Sequence, residues 1–384
     1  MADKLNMLFT KQMVATLALL LVCTTASAQF NVLKLAKKVT EFFDSMAVKG
    51  IDPRYIEVPE RPWQVVLRGN MNQSIVSMHT EGSIEGTDYS AQPYLKTRPS
   101  RYVGLWVAYR GHGVGFTRNV GGDKGSYLTV GAMARAYGYN VRIHTFESST
   151  PRLDLDSDIV PEEHKEKWDE VQLITPIKVR TVFADGYYLF NNKHFSYAAA
   201  YKQSVLQKRS AGSLMAGAMF YYGSIDYASH ANGDLIYLMH GLGRVKMWQG
   251  SIGVGYAYNW VPTRGLLLNA MVMPMFTFVN KIKVYGYGTN IEQLMDEPIF
   301  MDDNVDDETW DKWFYGNLRI APMGDRTFNS GMTVNLDARV SVSYNFGRYF
   351  IGAFGQFTNM RYSHHSSHGY LNDWFINTSF GLRL

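Results

Sequence analysis

From Met332 to Phe346 the chain alternates between apolar and polar side chains. Met332, Val334, Leu336, Ala338, Val340, Val342, Tyr344 and Phe346 fall on one face. Thr333, Asn335, Asp337, Arg339, Ser341, Ser343 and Asn345 fall on the other. Successive side chains of a strand point to opposite sides, so this is a strand with one oily and one wet face. The run exceeds the ~9–11 residues a strand needs to cross a membrane. Trp248 to Trp260 repeats the pattern. Trp248, Gly250, Ile252, Val254, Tyr256, Tyr258 and Trp260 alternate with Gln249, Ser251, Gly253, Gly255, Ala257 and Asn259. Aromatics at both ends of that row suit the two interfacial girdles of a membrane barrel. Leu128 to Ala136 and Tyr139 to His144 continue the pattern, and Trp374 to Leu384 ends the chain in the same way.

These strands can enter a membrane only as a closed barrel, because hydrocarbon offers no water to an unpaired strand edge. No stretch after the N-terminus reaches ~18 consecutive apolar residues, which excludes a helical membrane protein. Aromatics make up 14% of the chain, and the 25 Tyr and 8 Trp suit membrane interfaces through their polar tips on apolar bodies. A formal charge of +4 with 46% hydrophobic residues points neither to disorder nor to nucleic acid.

The N-terminus reads as an export signal. Lys4 and Lys11 precede the apolar run Met13 to Val22, and Ala26-Ser27-Ala28 offers a cleavage site, so the mature chain is expected to begin at Gln29. The single cysteine, Cys23, lies within the signal, which leaves the mature chain no disulfide or thiol chemistry. The organisation expected is a signal over 1–28, an amphipathic helix and linker over 29–60, and a barrel over 61–384. In the helix, Val32, Leu35, Val39, Phe42 and Met46 share one face and lysines take the other. It either lies against the inner leaflet or tucks into the barrel mouth.

Further strand candidates are 63–78, 101–110, 112–119, 176–190, 194–206, 212–223, 265–280 and 348–361. With the runs above they make thirteen, and single-chain bacterial barrels take even numbers. The fold expected is therefore all-β: a transmembrane antiparallel up-and-down β-barrel of 12 or 14 strands, preceded by a short N-terminal amphipathic helix. The miscount is expected within 148–176 or 101–119. Long polar stretches at 148–170, 224–244, 281–328 and 362–370 read as extracellular loops between tight periplasmic turns.

Three stretches carry a resemblance. They are Asp52-Pro53-Arg54-Tyr55-Ile56 running into Trp63, then Tyr188 to Tyr197 followed by Gln207 to Ser213, and Gly255 to Pro262. The chain resembles an uncharacterised outer-membrane β-barrel family of the Bacteroidota, a domain-of-unknown-function family, over residues 40 to 384. The resemblance implies a barrel in the cell outer membrane and implies no site residue.

Residues with chemical potential are few. His364, His365 and His368 share one short loop, as metal ligands or as a polar surface. Asp302, Asp303, Asp306, Asp307, Glu308 and Asp311 crowd another, without the regular spacing of a calcium loop. Charges on polar strand faces point to the lumen, because Arg or Lys at a lipid-facing midplane costs ~2–4 kcal/mol. Arg135, Arg142, Asp337 and Arg339 are the expected lumen lining, with His144, Arg383, Lys178 and Arg180 beside them. They form either an anion-favouring pore wall or an internal salt-bridge network. Ser196 near His194, and Ser366 near His365 and His368, lack a nucleophile-elbow frame. The expectation is a non-catalytic barrel without cofactor, acting as a small-solute pore or structural barrel. Its alternative is a barrel that binds a ligand or envelope partner through long loops. A lipid-modifying hydrolase is the least supported. The partners expected are outer-membrane lipid, the barrel-assembly machinery during biogenesis, and a small-molecule ligand of unknown kind, with no nucleic acid.

Overall fold

The computed structural model describes residues 38–384 except 39, 46–48, 85–86, 158–172, 229–230, 232–241, 302–303 and 365–366. The export signal and the first turns of the helix expected from Phe30 lie outside the described residues.

Two residue pairs aside, the strands form one sheet. Its strands are β2 (Trp63–Ile84), β3 (Thr87–Lys96), β4 (Ser100–Tyr109), β5 (His112–Gly121), β6 (Lys124–Met133), β7 (Tyr137–Ser148), β8 (Arg152–Ser157), β9 (Ile177–Leu189), β11 (Ala211–Asp226), β12 (Leu242–Thr263), β13 (Leu266–Thr289), β14 (Ile320–Asn329), β15 (Thr333–Phe346), β16 (Tyr349–His364) and β17 (Ser367–Arg383). The remaining two, β1 (Ile56–Glu57) and β10 (Leu206–Gln207), pair with each other. Twelve antiparallel strands close a circuit: β2, β4, β5, β6, β7, β9, β11, β12, β13, β15, β16 and β17. The circuit closes where β17 pairs with β2, from Arg383 opposite Gln64 up to His368 opposite His79. Every barrel strand thus has two hydrogen-bonded neighbours, which removes the open edge that a membrane forbids.

The alternating faces sort as a membrane barrel requires. On β15, Val334, Val340 and Val342 are exposed outward, while Asn335, Asp337 and Ser343 are each 1% exposed inside. On β12, Ile252, Val254 and Tyr256 face out and Gln249, Ser251 and Asn259 face in. The polar face is buried and the apolar face is exposed, the reverse of a water-soluble sheet. Near the end that carries Trp63 and Leu384, the rings of Tyr344, Phe346, Tyr349 and Phe380 stack in series, forming one aromatic girdle. This is a transmembrane barrel of the outer-membrane type. Among the described residues, no helix is long and apolar enough to cross a membrane.

The two ends differ. Trp63 donates its N–H to the Leu384 carbonyl at 3.2 Å, so both chain ends of the barrel meet at one rim. Tight turns join strands at the same rim. Arg110-Gly111 has φ of 49° and 86°, and Gly265 and Gly347 take φ of 86° and 62°. Glycine reaches this left-handed region without a Cβ clash. Outer-membrane barrels keep their termini and short turns in the periplasm. At the other, extracellular end, β2 outruns β4 and pairs with β3, which pairs with β8. There β13 also continues alongside β14.

The strand count corrects one expectation. The miscount lay neither in 101–119, which is two strands, nor in 148–176, whose strand β8 stands outside the circuit. It lay at 194–206, which is no barrel strand. The expected loop at 362–370 is mostly strand, since β16 and β17 pair as far as His364 opposite Ser367.

The described part of the N-terminal helix spans 40–45. Phe43 is buried and stacks on His112, ring centroids 3.9 Å apart. Asp44 accepts hydrogen bonds from Arg110 Nε at 2.7 Å and from the Tyr109 hydroxyl at 2.8 Å. These contacts fasten the segment against the periplasmic mouth of the barrel.

Candidate functional site

The connector between β9 and β11 turns back into the lumen. Its local sequence favours a short helix: Ser196 is followed by Tyr-Ala-Ala-Ala-Tyr, a capping residue ahead of good helix formers. Ser196 Oγ accepts from the Ala199 N–H at 3.2 Å and caps the helix Tyr197–Tyr201. All five helical residues are buried. Gln207 then locks the connector. Its Nε2 donates to the carbonyls of His194 and Arg209, and its Oε1 accepts from the Ser196 N–H.

This plug is tied to opposite parts of the wall. On β12 and β13, Asn259 Nδ2 donates to the Ser196 carbonyl at 2.8 Å. The Tyr201 hydroxyl donates to Asn269 Oδ1 at 2.6 Å. At the β17–β2 seam, Arg383 Nη2 and Gln64 Nε2 both donate to the Gln203 carbonyl, at 2.8 and 2.9 Å. The apolar side of the plug packs on a methionine wall that includes Met215, Met271 and Met275, each at most 1% exposed. That wall explains why β13 loses its alternation. Where a strand meets lipid outside and an apolar plug inside, both faces are hydrophobic. Lys202 Nζ and Arg68 lie 3.9 and 4.0 Å from the centre of the Trp106 ring, so two cations share one indole.

The lumen charges form a connected network beside the plug. Arg339 makes an ion pair with Asp337 at 2.6 Å and another with Asp185 at 3.2 Å. Gln356 donates to Asp337 Oδ1 at 3.1 Å and accepts from Arg142 Nη2 at 2.8 Å. Arg142 lies between the rings of Phe183 and Phe375, 4.7 Å from each. His144 stacks on Tyr127 at 3.8 Å and shares a 3.0 Å hydrogen bond with the Tyr102 hydroxyl. Arginine suits such a place because its planar fork satisfies two carboxylates at once.

Comparison with known proteins places the chain. The model of the family described as "Domain of unknown function (DUF4421)" matches residues 51–382. The chain belongs to the DUF4421 family. Curated proteins give no match. Among solved structures, the chain is similar to the COG4313 outer membrane channel from Pseudomonas putida F1. Identity is 10%, coverage is 85% of this chain and 97% of that one, and the TM-score is 0.29. It is similar at 9% identity to OprG from Pseudomonas aeruginosa, with 84% and 98% coverage and a TM-score of 0.28. The beta domain of the Bordetella autotransporter Brka gives 10% identity, 86% and 100% coverage and a TM-score of 0.30. Likeness at this level says nothing about role. The closed circuit of strand pairs establishes the DUF4421 barrel by itself.

The three sequence stretches that carried the family resemblance converge on the plug. The Asp52 N–H donates to the Lys193 carbonyl at 3.0 Å, and Ile56 pairs with Gln207. Tyr55 lies against His194, ring centroids 4.5 Å apart. From the third stretch comes Asn259, whose amide binds Ser196 and Gln207. The lead-in to the barrel, the plug and β12 are therefore one unit. Hydrogen bonds from the Arg54 guanidinium and N–H hold the Asp52 carboxyl well below the usual carboxylate range. A depressed folded pKa contributes stability above the unfolded value of ~3.9 and loses it as pH falls through the lower folded value. Protease protection of residues 49–58 in the folded DUF4421 barrel should therefore persist from pH 7 down to pH 4. Loss of protection between pH 6 and 5 would contradict this.

Several expected site residues stand elsewhere. Arg135 does not line the lumen. It occupies the turn between β6 and β7 and donates from Nη1 to the Gly50 carbonyl at 2.7 Å. The alternation that included it runs one turn too far, since β6 ends at Met133. Lys178 and Arg180 face outward, while Ile177 is 1% exposed inside, packed with Leu173, Ile225 and Tyr227. Near the extracellular rim the outward face has left the hydrocarbon, so the polar face is the outer one.

His365 lies outside the described residues. The backbones of His364 and His368 belong to the β16–β17 hairpin. Asp302 and Asp303 also lie outside the described residues. Asp306 caps the helix Asp307–Asn317, accepting from the Thr309 N–H at 3.0 Å, and the acids that follow sit near the positive end of its dipole. Ser196 and His194 are engaged separately. The serine oxygen caps its helix, while His194 Nδ1 contacts Asn191 Oδ1 at 3.1 Å and its Nε2 faces Asp52 at 3.5 Å.

Proposed function

We propose that this protein is a plugged, non-conducting and non-catalytic barrel of the outer membrane, serving as a structural element that presents its extracellular extension to a ligand or envelope partner. The observation that supports it is the plug, hydrogen-bonded to β12 and β13 on one side and to the β17–β2 seam on the other. A solute would have to displace buried aromatic rings and break those bonds to pass. Arg339, which an anion pore would expose, is neutralised by Asp337 and Asp185 instead, and Arg142 is held by Gln356 between two aromatic rings. An origin in the Bacteroidota, lipid contact around the belt, and insertion by the barrel-assembly machinery complete the reading.

The test is electrical. Purified, refolded protein in a planar bilayer should be silent across ±100 mV, while its unheated gel mobility shows a folded barrel. Steady discrete conductance steps from the unmodified chain would overturn the proposal. The presenting surface is testable separately. Residues 290–319 connect β13 to β14 without entering the barrel circuit. Their removal should leave folding and insertion intact while abolishing capture of the ligand or partner.

A further inference from the structure

A band of cations rings part of the outer wall just beyond the extracellular aromatic residues. Tyr222 and Trp248 pack outward with ring centroids 5.5 Å apart, and the hydrocarbon belt begins below them with exposed Phe220 and Ile252. One outward step higher, Arg180 stands opposite Ser224, Ser224 opposite Lys246, and Lys246 opposite Lys283. In the next outward row, Lys124 faces Glu147, Glu147 faces Lys178, Lys178 faces Asp226, and Asp226 faces Arg244. The inward neighbours Phe146, Ile177, Ile225 and Met247 are buried, which fixes the outward sense of both rows.

The charges do not cancel. Arg244 is paired with Asp226, and Lys283 with Asp325. Among the described residues, Lys124, Lys178, Arg180 and Lys246 have no carboxylate within ion-pair distance; Lys246 contacts the Tyr285 hydroxyl at 3.4 Å. Lys124, Lys178, Arg180 and Arg244 line a single open groove on the wall together with Glu147 and Asp226, and Lys246 stands beside it, opposite Ser224 of the lining. Lysine and arginine one outward step above an interfacial ring stand at headgroup height, where anionic groups attract them. On this side of the barrel the adjoining leaflet is the outer one.

We propose that this groove binds the phosphate of an anionic lipid headgroup in the outer leaflet. Arg180 supplies a planar fork for two phosphate oxygens, and Lys178 on the same strand and Lys246 on β12 at the groove's edge supply point charges. The proposal rests on the membrane reading and on the assigned sidedness. It does not depend on whether the barrel conducts.

The experiment is native mass spectrometry of the full-length mature barrel released from detergent. The probes are a purified bisphosphorylated lipid A and, for comparison, phosphatidylcholine. Wild-type protein should retain the phosphorylated lipid at least ten-fold more than the neutral one. The triple variant Lys178→Glu, Arg180→Glu, Lys246→Glu should lose that preference, while Lys312→Glu, on the extracellular helix, should keep it. The heat-dependent gel shift reports folding of each variant, and a barrel that has lost it points to the membrane reading instead. If the triple variant does not fold, the neutral pair Lys178→Gln, Arg180→Gln decides by the same ratio. Equal uptake of the two lipids by wild type, or unchanged preference in a folded variant, would overturn the proposal.

Discussion

Replacing Arg339 with methionine should destabilise the detergent-solubilised barrel by about 3–5 kcal/mol, the cost of breaking a buried ion pair from one side. The reason is what remains behind. Asp337 is 1% exposed and Asp185 7%, and both face the guanidinium. Without it, two carboxylates share an enclosed space, and among the described residues Gln356 is the side-chain donor left to Asp337. The network as a whole need not be strongly stabilising, since desolvation offsets much of the attraction. The asymmetry therefore makes a sharper test than the single loss. Asp337→Asn combined with Arg339→Met should cost clearly less than the sum of the two changes. Urea titration followed by unheated gel mobility measures each midpoint. A loss below about 1 kcal/mol for Arg339→Met would mean that water reaches the site and that the lumen is not closed.

Replacing residues 196–206 with a short glycine–serine link should turn a silent barrel into a conducting one. The deleted segment contains the five buried helical residues and the backbone groups that Arg383 and Gln64 bind. Twelve strands enclose more space than the ~8 strands whose lumen wall side chains alone can fill, so the plug is needed to close it. The methionine wall then faces water, which lowers stability in proportion to the apolar area exposed. A gentler variant guards against misfolding. Tyr201→Phe removes only the hydroxyl that donates to Asn269, and should leave the barrel folded and silent. Tyr197→Ala with Tyr201→Ala empties two buried rings and should give brief, small openings. Silence in the deletion variant, with the gel shift intact, would show that something other than the connector blocks the lumen.

How far the sequence reached depends on the range of the interaction. Alternation on β12 and β15 identified the strands and the members of each face, because side-chain direction in a strand is a local property. The rule that a polar or charged face turns to the lumen held on these two strands and failed near the rim. Lys178 and Arg180 alternate as cleanly as Asp337 and Arg339, yet the first pair points outward. That choice depends on height in the membrane, which only the register of the whole circuit sets. Arg135 fell one turn beyond its strand for the same reason, since a turn is fixed by its two flanking partners.

The plug was partly written in the chain. Ser196 before Tyr-Ala-Ala-Ala-Tyr is a capped helical turn, and the doubly apolar run at Met271 to Met275 is a wall that meets protein on its inner face. Read alone, each stretch also fits a barrel strand. Hydrogen bonds between residues 63 and 68 positions apart, Ser196 with Asn259 and Tyr201 with Asn269, decided between the two. The sequence by itself determined that this chain is a closed sheet in a membrane, because period and edge chemistry leave no other solution. Only the tertiary structure decided that the cylinder is filled, because filling is a property of distant segments meeting, and no local pattern encodes a meeting.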